Sequence, residues 1–201
     1  FERLVAALDG EAELNAVGRG MQRARIVGLI VNRLRTEAYI ARHPEILDEE
    51  ICEPIVIVGL PRTGTTMLHR MIAADPENYS LLWWESRNPA PFAAPEDWLG
   101  SKERDPRILD AEAEVAAMLE GAPDLMAMHP LEAEGPDEEI MLLEHAFFST
   151  NPEAFVNVAE FGAWQDDQDQ TAGYRYLERL LKFLQWQKKQ RGEVARRWVL
   201  K

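Results

Sequence analysis

The stretch from residue 54 to residue 76 constrains the fold more than any other part of the sequence. It begins with Pro54 and the apolar run IVIV, continues through Gly59 and Gly64, and then runs into TTMLHRMIAA. A short, fully apolar run is typical of a buried parallel strand, and the residues after the second glycine have the periodicity of a helix. The sequence therefore predicts a strand, a glycine turn and a helix in succession, as found in α/β folds.

The remaining segments predict several helices and two more short strands around this core. Helices are expected at 13–40, from Asp105-Pro106 to about Glu120, from Pro136 into IMLLEHAFF, and at 171–190; strands are expected at LLWW (81–84) and RWVL (197–200). We expect one α/β domain over residues 1–201, with a helical segment at 1–50 and the strand–loop–helix core at 54–76. Because so few strands make an unfinished sheet, we expect the domain to be the N-terminal part of a longer fold.

Composition and charge narrow the possible functions. A chain of 201 residues with 46% hydrophobic residues is typical of one globular domain. The net charge of -13 argues against nucleic acid as a partner, and the single cysteine excludes an internal disulfide. The sequence contains no apolar run near the ~20 residues of a membrane span and begins without a secretory pattern. We therefore expect a soluble, cytoplasmic protein with no membrane span, and self-association into a homo-oligomer stays open.

The loop GLPRTGTT nearly matches the nucleotide-binding pattern G-x-x-x-x-G-K-[ST], with Thr65 in the place of the lysine. Backbone N–H groups at a helix N-terminus bind anions, and Arg62 adds a guanidinium that suits phosphate or sulfate oxygens. The lysine and a magnesium-binding acid after a second apolar strand, which phosphoryl transfer requires, are both missing. A plain glycine turn would explain the glycines, but not Arg62 together with Thr65 and Thr66.

The segment IVIVGLPRTGTTMLHRMIAADP closely resembles the 5′-phosphosulfate loop of sulfotransferases that use 3′-phosphoadenosine-5′-phosphosulfate (PAPS). The nearest match is the bacterial branch with P-R-[ST]-G-[ST]-T, and the likeness continues through SLLWWESRNP. The resemblance implies a P-loop-like parallel sheet flanked by helices. It also implies an enzyme that passes a sulfuryl group from PAPS to a hydroxyl or amine of a small-molecule acceptor, without a metal.

The resemblance also implies which residues carry the chemistry. Five positions match those that hold the 5′-phosphosulfate: Arg62, Thr63, Gly64, Thr65 and Thr66. Glu85 in WWESR is similar to the glutamate base of tyrosylprotein sulfotransferases, and RWVLK resembles the strand that ends in the lysine of a K-T-H segment, which aligns Lys201 with that lysine. The histidine of that segment would follow Lys201. The family's R-x-P plus serine element for the 3′-phosphate has no counterpart in these residues, so this stretch alone need not be active.

Other interpretations of these residues stay open. Glu85 could be a base if Trp83 and Trp84 desolvate it, or a loop carboxylate paired with Arg87. His129 lies in a loop context that suits either a base or a surface histidine, and Glu138 with Glu139 suits the start of a helix. We expect no metal site, because His43, His69 and His145 lack ligand partners at the required spacing. Tryptophans near the proline-rich stretch, including Trp98, suit an acceptor pocket or a core.

Two other function classes compete with sulfuryl transfer. A P-loop kinase or NTPase with a degenerate loop would turn over ATP with magnesium, and the threonine in place of the lysine argues against it. A non-catalytic remnant would keep the anion-binding loop without the rest of the cofactor site.

Overall fold

The computed structural model describes residues 1–60, 62–92, 104–124, 126 and 130–201. Within these residues a small parallel sheet is flanked by helices, so the predicted α/β class is confirmed. The helices are α1 (Glu2–Gly10), α2 (Ala16–Arg42), α3 (Thr65–Ala73), α4 (Trp83–Arg87), α5 (Pro106–Gly121), α6 (Ile140–Leu143), α7 (Ala159–Asp166) and α8 (Thr171–Gln190). Short 3-10 turns cover Pro44–Asp48, Glu144–Ala146 and Asn151–Ala154. The strands are β1 (Ile55–Val56), β2 (Asn78–Ser80) and β3 (Arg197–Leu200).

The last strand in the sequence lies in the middle of the sheet. The order is β1-β3-β2 and both pairings are parallel. Val56 lies beside Leu200, while Tyr79 lies beside Trp198. The prediction of a strand at RWVL is therefore confirmed, and the carboxyl ends of β1 and β3 meet at the same edge of the sheet.

The main hydrophobic core lies between the sheet and α8. Leucines along one face of α8, including Leu180 and Leu184, pack with Tyr79 and Trp198. The Trp198 ring is fully buried and its indole N–H donates to the side-chain oxygen of Gln185 at 2.9 Å. This confirms the predicted helix at 171–190 and explains its leucine spacing, since residues three and four apart share a helix face.

The prediction of a strand at LLWW is wrong. The strand lies just before it, at Asn78–Ser80, and α4 begins at Trp83. The backbone N–H of Leu82 donates to the Glu85 carboxylate at 3.1 Å, which starts a helical turn instead of extending the strand. Apolar runs this short do not separate strand from buried helix by periodicity alone.

The expected burial of the IVIV run is also wrong. Only Ile55 and Val56 form β1, and β1 pairs with β3 alone in the described part of the chain. Val56 and Val58 are 55% and 89% exposed, so the run is not a buried strand in the described part of the chain. Parallel pairing was predicted correctly, whereas the burial depends on a neighbour that the pattern does not reveal.

The predicted helix boundaries mostly agree with the structure. Asn15 caps α2 by accepting from the Gly18 N–H at 2.8 Å, and α2 ends before His43. The helix predicted from Pro136 instead begins at Ile140 and ends at Leu143, and the chain continues as a 3-10 turn. Phe147 ends that turn with a φ of 58°, a left-handed conformation that no helix continues through.

Candidate anion-binding site

The glycine loop joins the end of β1 to the start of α3. Gly64 precedes α3 with a φ of 92°, and the first N–H groups of a helix have no partner inside it. A Cβ on Gly59 would lie 2.8 Å from the methyl carbon of Thr65, so only glycine lets the strand end approach the helix start. The Thr63 hydroxyl donates to the Leu60 carbonyl at 2.6 Å, which tightens the turn. The loop thus presents N–H groups at a helix N-terminus.

Arg62 is exposed on this loop in a strained backbone conformation. Its φ of 66° lies in the left-handed region, which costs a residue with a side chain about 1 to 2 kcal/mol. Strained backbone conformations are concentrated at ligand-binding loops and active sites. They persist there because the surrounding structure fixes them.

Lys201 reaches the loop from the neighbouring strand. Ile57 donates its N–H to the Leu200 carbonyl at 2.9 Å, so the residue after β3 lies at the start of the loop region. The Lys201 ammonium then donates to the Thr66 hydroxyl at 2.9 Å. The parallel register therefore brings together two predicted site residues that are 135 positions apart.

Two glutamates complete this cluster around Lys201. The Glu138 carboxylate forms an ion pair with the Lys201 ammonium, and Glu139 accepts the Lys201 backbone N–H at 2.5 Å. Burial raises the pKa of the Glu139 carboxyl above its ordinary value. The segment before the two glutamates runs beside the start of α4. Asp137 donates its N–H to the Leu81 carbonyl at 2.8 Å, and Leu82 forms an isolated antiparallel β-bridge with Pro136. This antiparallel contact carries both glutamates to the loop.

Comparison with known proteins identifies the family. The model of the Sulfotransferase family matches residues 54–186, which is more than half of the chain. The chain belongs to the sulfotransferase family. No curated protein matches it.

Solved structures of mycobacterial sulfotransferases share this fold. Sulfotransferase STF1 from Mycobacterium tuberculosis H37Rv is 31% identical, with a TM-score of 0.77, and the match covers 98% of this chain and 52% of that one. Sulfotransferase STF9 from Mycobacterium avium is 28% identical with a TM-score of 0.77, and the match covers 98% of this chain and 48% of that one. The chain thus spans about half the length of these structures.

Glu85, the predicted base, lies in a buried ionic cluster with Lys188 and Arg191. Its side chain is fully buried, and one carboxylate oxygen accepts from Lys188 at 2.8 Å and from Arg191 at 3.1 Å. The other oxygen accepts the Leu82 N–H. Arg87, the alternative partner, pairs instead with Glu114 at 2.5 Å. The role of Glu85 as a base stays a prediction, and these contacts describe a carboxylate whose oxygens are already occupied.

Two of the described histidines are fully buried. His69 on α3 is 1% exposed, and burial lowers the pKa of its ring below the ordinary value. Burial also lowers the pKa of His145 to about 4, so its ring is neutral at pH 7. Among the described residues, no group of His, Cys, Asp and Glu has the arrangement of a metal site. His129 and Trp98 lie outside the described residues.

A groove of about 800 Å³ lies between α2, α4, α5 and α6. Most of its described lining residues are apolar; they include Met21, Leu29, Trp83, Met118 and Met141. Its arginines are paired: Arg87 with Glu114 and Arg25 with Glu144. Its volume is within the range of about 300 to 1,000 Å³ that is typical of small-molecule pockets.

None of the helices in the described part of the chain combines the length and hydropathy required to cross a bilayer.

Proposed function

We propose that this protein transfers a sulfuryl group from PAPS to a hydroxyl or amine of a small-molecule acceptor. The observation that carries the proposal is the contact between the Lys201 ammonium and the Thr66 hydroxyl at the N-terminus of α3. It brings a cation from the middle strand to a loop that already carries Arg62. Membership of the sulfotransferase family supports the same reaction class.

In this proposal the loop holds the 5′-phosphosulfate of the donor. Backbone N–H groups at the start of α3 and the hydroxyls of Thr65 and Thr66 donate to its oxygens, around the turn at Gly64. Thr63 holds the shape of the loop, since its hydroxyl donates to the Leu60 carbonyl. Arg62 contributes a planar fork that suits sulfate and phosphate geometry. Lys201 neutralises the negative charge that develops on the phosphate as the bond to sulfur breaks, which is where fixed cations accelerate such reactions most.

A kinase or NTPase function has less support from these residues. A P-loop lysine lies within the loop and reaches the β- and γ-phosphates, whereas this loop has Thr65 at that position. The lysine found here comes from β3 and is paired with Glu138. Sulfuryl transfer requires no magnesium bridge between phosphates, so a cation on the neighbouring strand suits it better.

We propose that the acceptor binds in the groove between α2 and α5. Met141 lines the groove and follows Glu138 by three residues, so the groove wall lies within about 11 Å of the Lys201 cluster by the reach of an extended chain. Because most of the described lining is apolar and its arginines are paired, the groove favours an acceptor with an apolar body.

The test is a transfer assay on the protein at its native length. Release of 3′-phosphoadenosine-5′-phosphate from PAPS is followed with a panel of phenol, steroid, sugar and lipid alcohols, with magnesium and with a chelator. We expect transfer that does not depend on magnesium. Lys201→Met should lower turnover about 100- to 1,000-fold, since one oxyanion-stabilising group contributes about that much.

The matched control for this variant is Lys182→Met. Lys182 pairs with Glu178 one turn away on α8 and donates to the Leu47 carbonyl, so its contacts do not involve the loop. Equal losses in both variants, or hydrolysis of ATP with magnesium in place of sulfuryl transfer, would refute the proposed function.

A further inference from the structure

A pocket between α2, α8 and the 3-10 turn after α2 concentrates positive charge. Its volume is about 390 Å³, and its basic lining residues are Arg33, Arg175, Arg179 and Lys182. Its described lining includes one acid, Glu178, and shares no residue with the glycine loop or with the cluster around Lys201. The whole chain has a net charge of -13. A cleft with an excess of the opposite charge attracts anions, so the pocket requires an explanation of its own.

Two of the four cations already have carboxylate partners. The Arg179 guanidinium donates to both oxygens of Glu37, at 2.7 and 3.1 Å. The Lys182 ammonium pairs with Glu178 at 3.4 Å and donates to the Leu47 carbonyl at 3.2 Å. These two pairs neutralise each other, so the excess charge of the pocket comes from the other two arginines.

Arg33 and Arg175 form no ion pair within the part of the chain that the structure describes. Arg33 donates to a neutral acceptor, the His145 carbonyl, at 3.0 Å. Arg175 is exposed on α8. The pKa of the Asp169 carboxyl is lowered by hydrogen bonds from Thr171 and, to a smaller extent, by Arg175. Both arginines therefore keep guanidinium N–H groups that can donate to a bound anion.

Tyr176 adds a further donor to the wall of the same pocket. The residue is 7% exposed, and its hydroxyl is buried without a hydrogen-bond partner among the described residues. The Arg33 guanidinium lies over the Tyr176 ring, 4.1 Å from its centroid. Burial raises the pKa of the hydroxyl to about 12, so it keeps its proton at pH 7. Buried hydroxyls normally have a partner, so this one indicates a group that accepts from it.

We infer that this pocket is a second anion site, which binds a sulfate or phosphate group through Arg33, Arg175 and the Tyr176 hydroxyl. The planar fork of arginine suits the oxygens of both groups. The volume leaves room for a small organic body beside the anion, and Leu47 and Ala172 give that body apolar contacts. The ligand class is therefore a small ester of sulfate or phosphate. The inference does not rest on the proposed function.

The test uses the native-length protein with Arg62→Ala, which weakens anion binding at the glycine loop. Arg175→Gln and Tyr176→Phe are added to this background one at a time. Arg23→Gln is the matched control, because Arg23 is also exposed and lies about 15 Å along α2 from Arg33. Calorimetry at constant ionic strength measures the Kd of inorganic phosphate and of phenyl sulfate, and thermal unfolding without ligand measures the Tm.

We expect both probes to bind the Arg62→Ala protein. Arg175→Gln should raise both Kd values about tenfold, the usual effect of losing one charge-assisted hydrogen bond. Tyr176→Phe should raise them a few-fold without lowering the Tm, because the hydroxyl has no partner to lose in the free protein. Arg23→Gln should leave both Kd values unchanged.

Two results would overturn the inference. One is the absence of binding of either probe to the Arg62→Ala protein. The other is a Kd in Arg175→Gln that equals the Kd in Arg23→Gln, which would make the binding a general effect of surface charge.

The source of the bound group is identified by sedimentation with vesicles that contain an anionic phospholipid. We expect no vesicle binding that Arg175→Gln removes, and tighter binding of phenyl sulfate than of inorganic sulfate, as a soluble ester requires. Vesicle binding that is lost in Arg175→Gln but not in Arg23→Gln would support the anion site and assign its phosphate to a lipid headgroup.

Discussion

Lys201 and His145 show how single residues acquire their properties from distant parts of the chain. Lys201 meets Thr66 because β3 lies beside β1 in a parallel register. His145 is 1% exposed beneath α4, where its Nε2 lies 3.2 Å from the Ser86 carbonyl. Neither environment follows from the neighbouring sequence.

His145 should make the stability of the protein depend on pH. Burial lowers its pKa from the ordinary 6.5 to about 4, so between these values the unfolded chain binds a proton that the folded chain does not. The free energy of unfolding should therefore fall as pH drops from 6.5 towards 4, by up to about 1.4 kcal/mol per pH unit. Urea unfolding at pH 7, 6 and 5 measures this dependence.

The variant His145→Gln should show a smaller decrease over the same range, because glutamine does not titrate. His43→Gln is the control, since His43 lies at the end of α2 with a partly exposed ring. An identical pH dependence in the wild type and His145→Gln would contradict the account of His145.

At the scale of elements, α4 depends on the carboxylate of Glu85. Glu85 accepts the Leu82 N–H at the start of α4 and joins this helix to Lys188 in α8 and to Arg191. Removal of one partner from a buried ion pair leaves an uncompensated charge and costs about 3 to 5 kcal/mol. We expect Glu85→Gln to lower the free energy of unfolding by about this amount, measured by urea denaturation.

Glu193→Gln is the matched control for this prediction. Glu193 pairs with the same two cations, but its side chain is 50% exposed. Water screens exposed ion pairs, so this variant should lose less than about 1 kcal/mol. Equal stability of Glu85→Gln and the wild type, together with a large loss of turnover, would instead support Glu85 as the base.

The elements that depend on local chemistry could be predicted from the sequence. The glycine loop, α3 and the leucine face of α8 follow from spacing and residue type alone. The nature of LLWW could not, because α4 depends on a carboxylate bond at Leu82 and on backbone N–H donation from Trp83 and Trp84 to Gly135 and Ala133. The same long-range pairing brings Glu138 to the loop. The sequence around Glu138 predicts only an acidic helix start, so it does not reveal the contact of Glu138 with Lys201.

At the scale of the whole molecule, the proposed reaction uses two binding regions, the loop and the groove. The loop, with Arg62 and Lys201, would hold the anionic donor, and the groove between α2 and α5 would hold the acceptor. Glu138 and Met141 lie three residues apart at the boundary between these regions. This arrangement predicts that acceptor binding can be changed without a change in donor binding.

Ala113→Trp tests the acceptor region, because Ala113 lines the groove on an exposed face of α5. A tryptophan there fills part of the groove, so we expect the KM for the acceptor to rise at least tenfold while the Kd for PAPS stays unchanged. Ala117→Trp, one turn further along the same exposed surface, is the control. A KM that is unchanged in Ala113→Trp would exclude the groove as the acceptor site.

Calorimetric titration of the native-length protein tests most directly whether the loop binds a phosphosulfate donor. PAPS and 3′-phosphoadenosine-5′-phosphate should bind more tightly than ATP, without magnesium. Arg62→Ala should weaken PAPS binding at least tenfold with a nearly unchanged Tm, because charge-assisted bonds to the donor contribute about 2 kcal/mol. Arg19→Ala, at an exposed pair with Asp9, should have no effect. ATP binding that equals or exceeds PAPS binding and requires magnesium would contradict phosphosulfate binding at the loop.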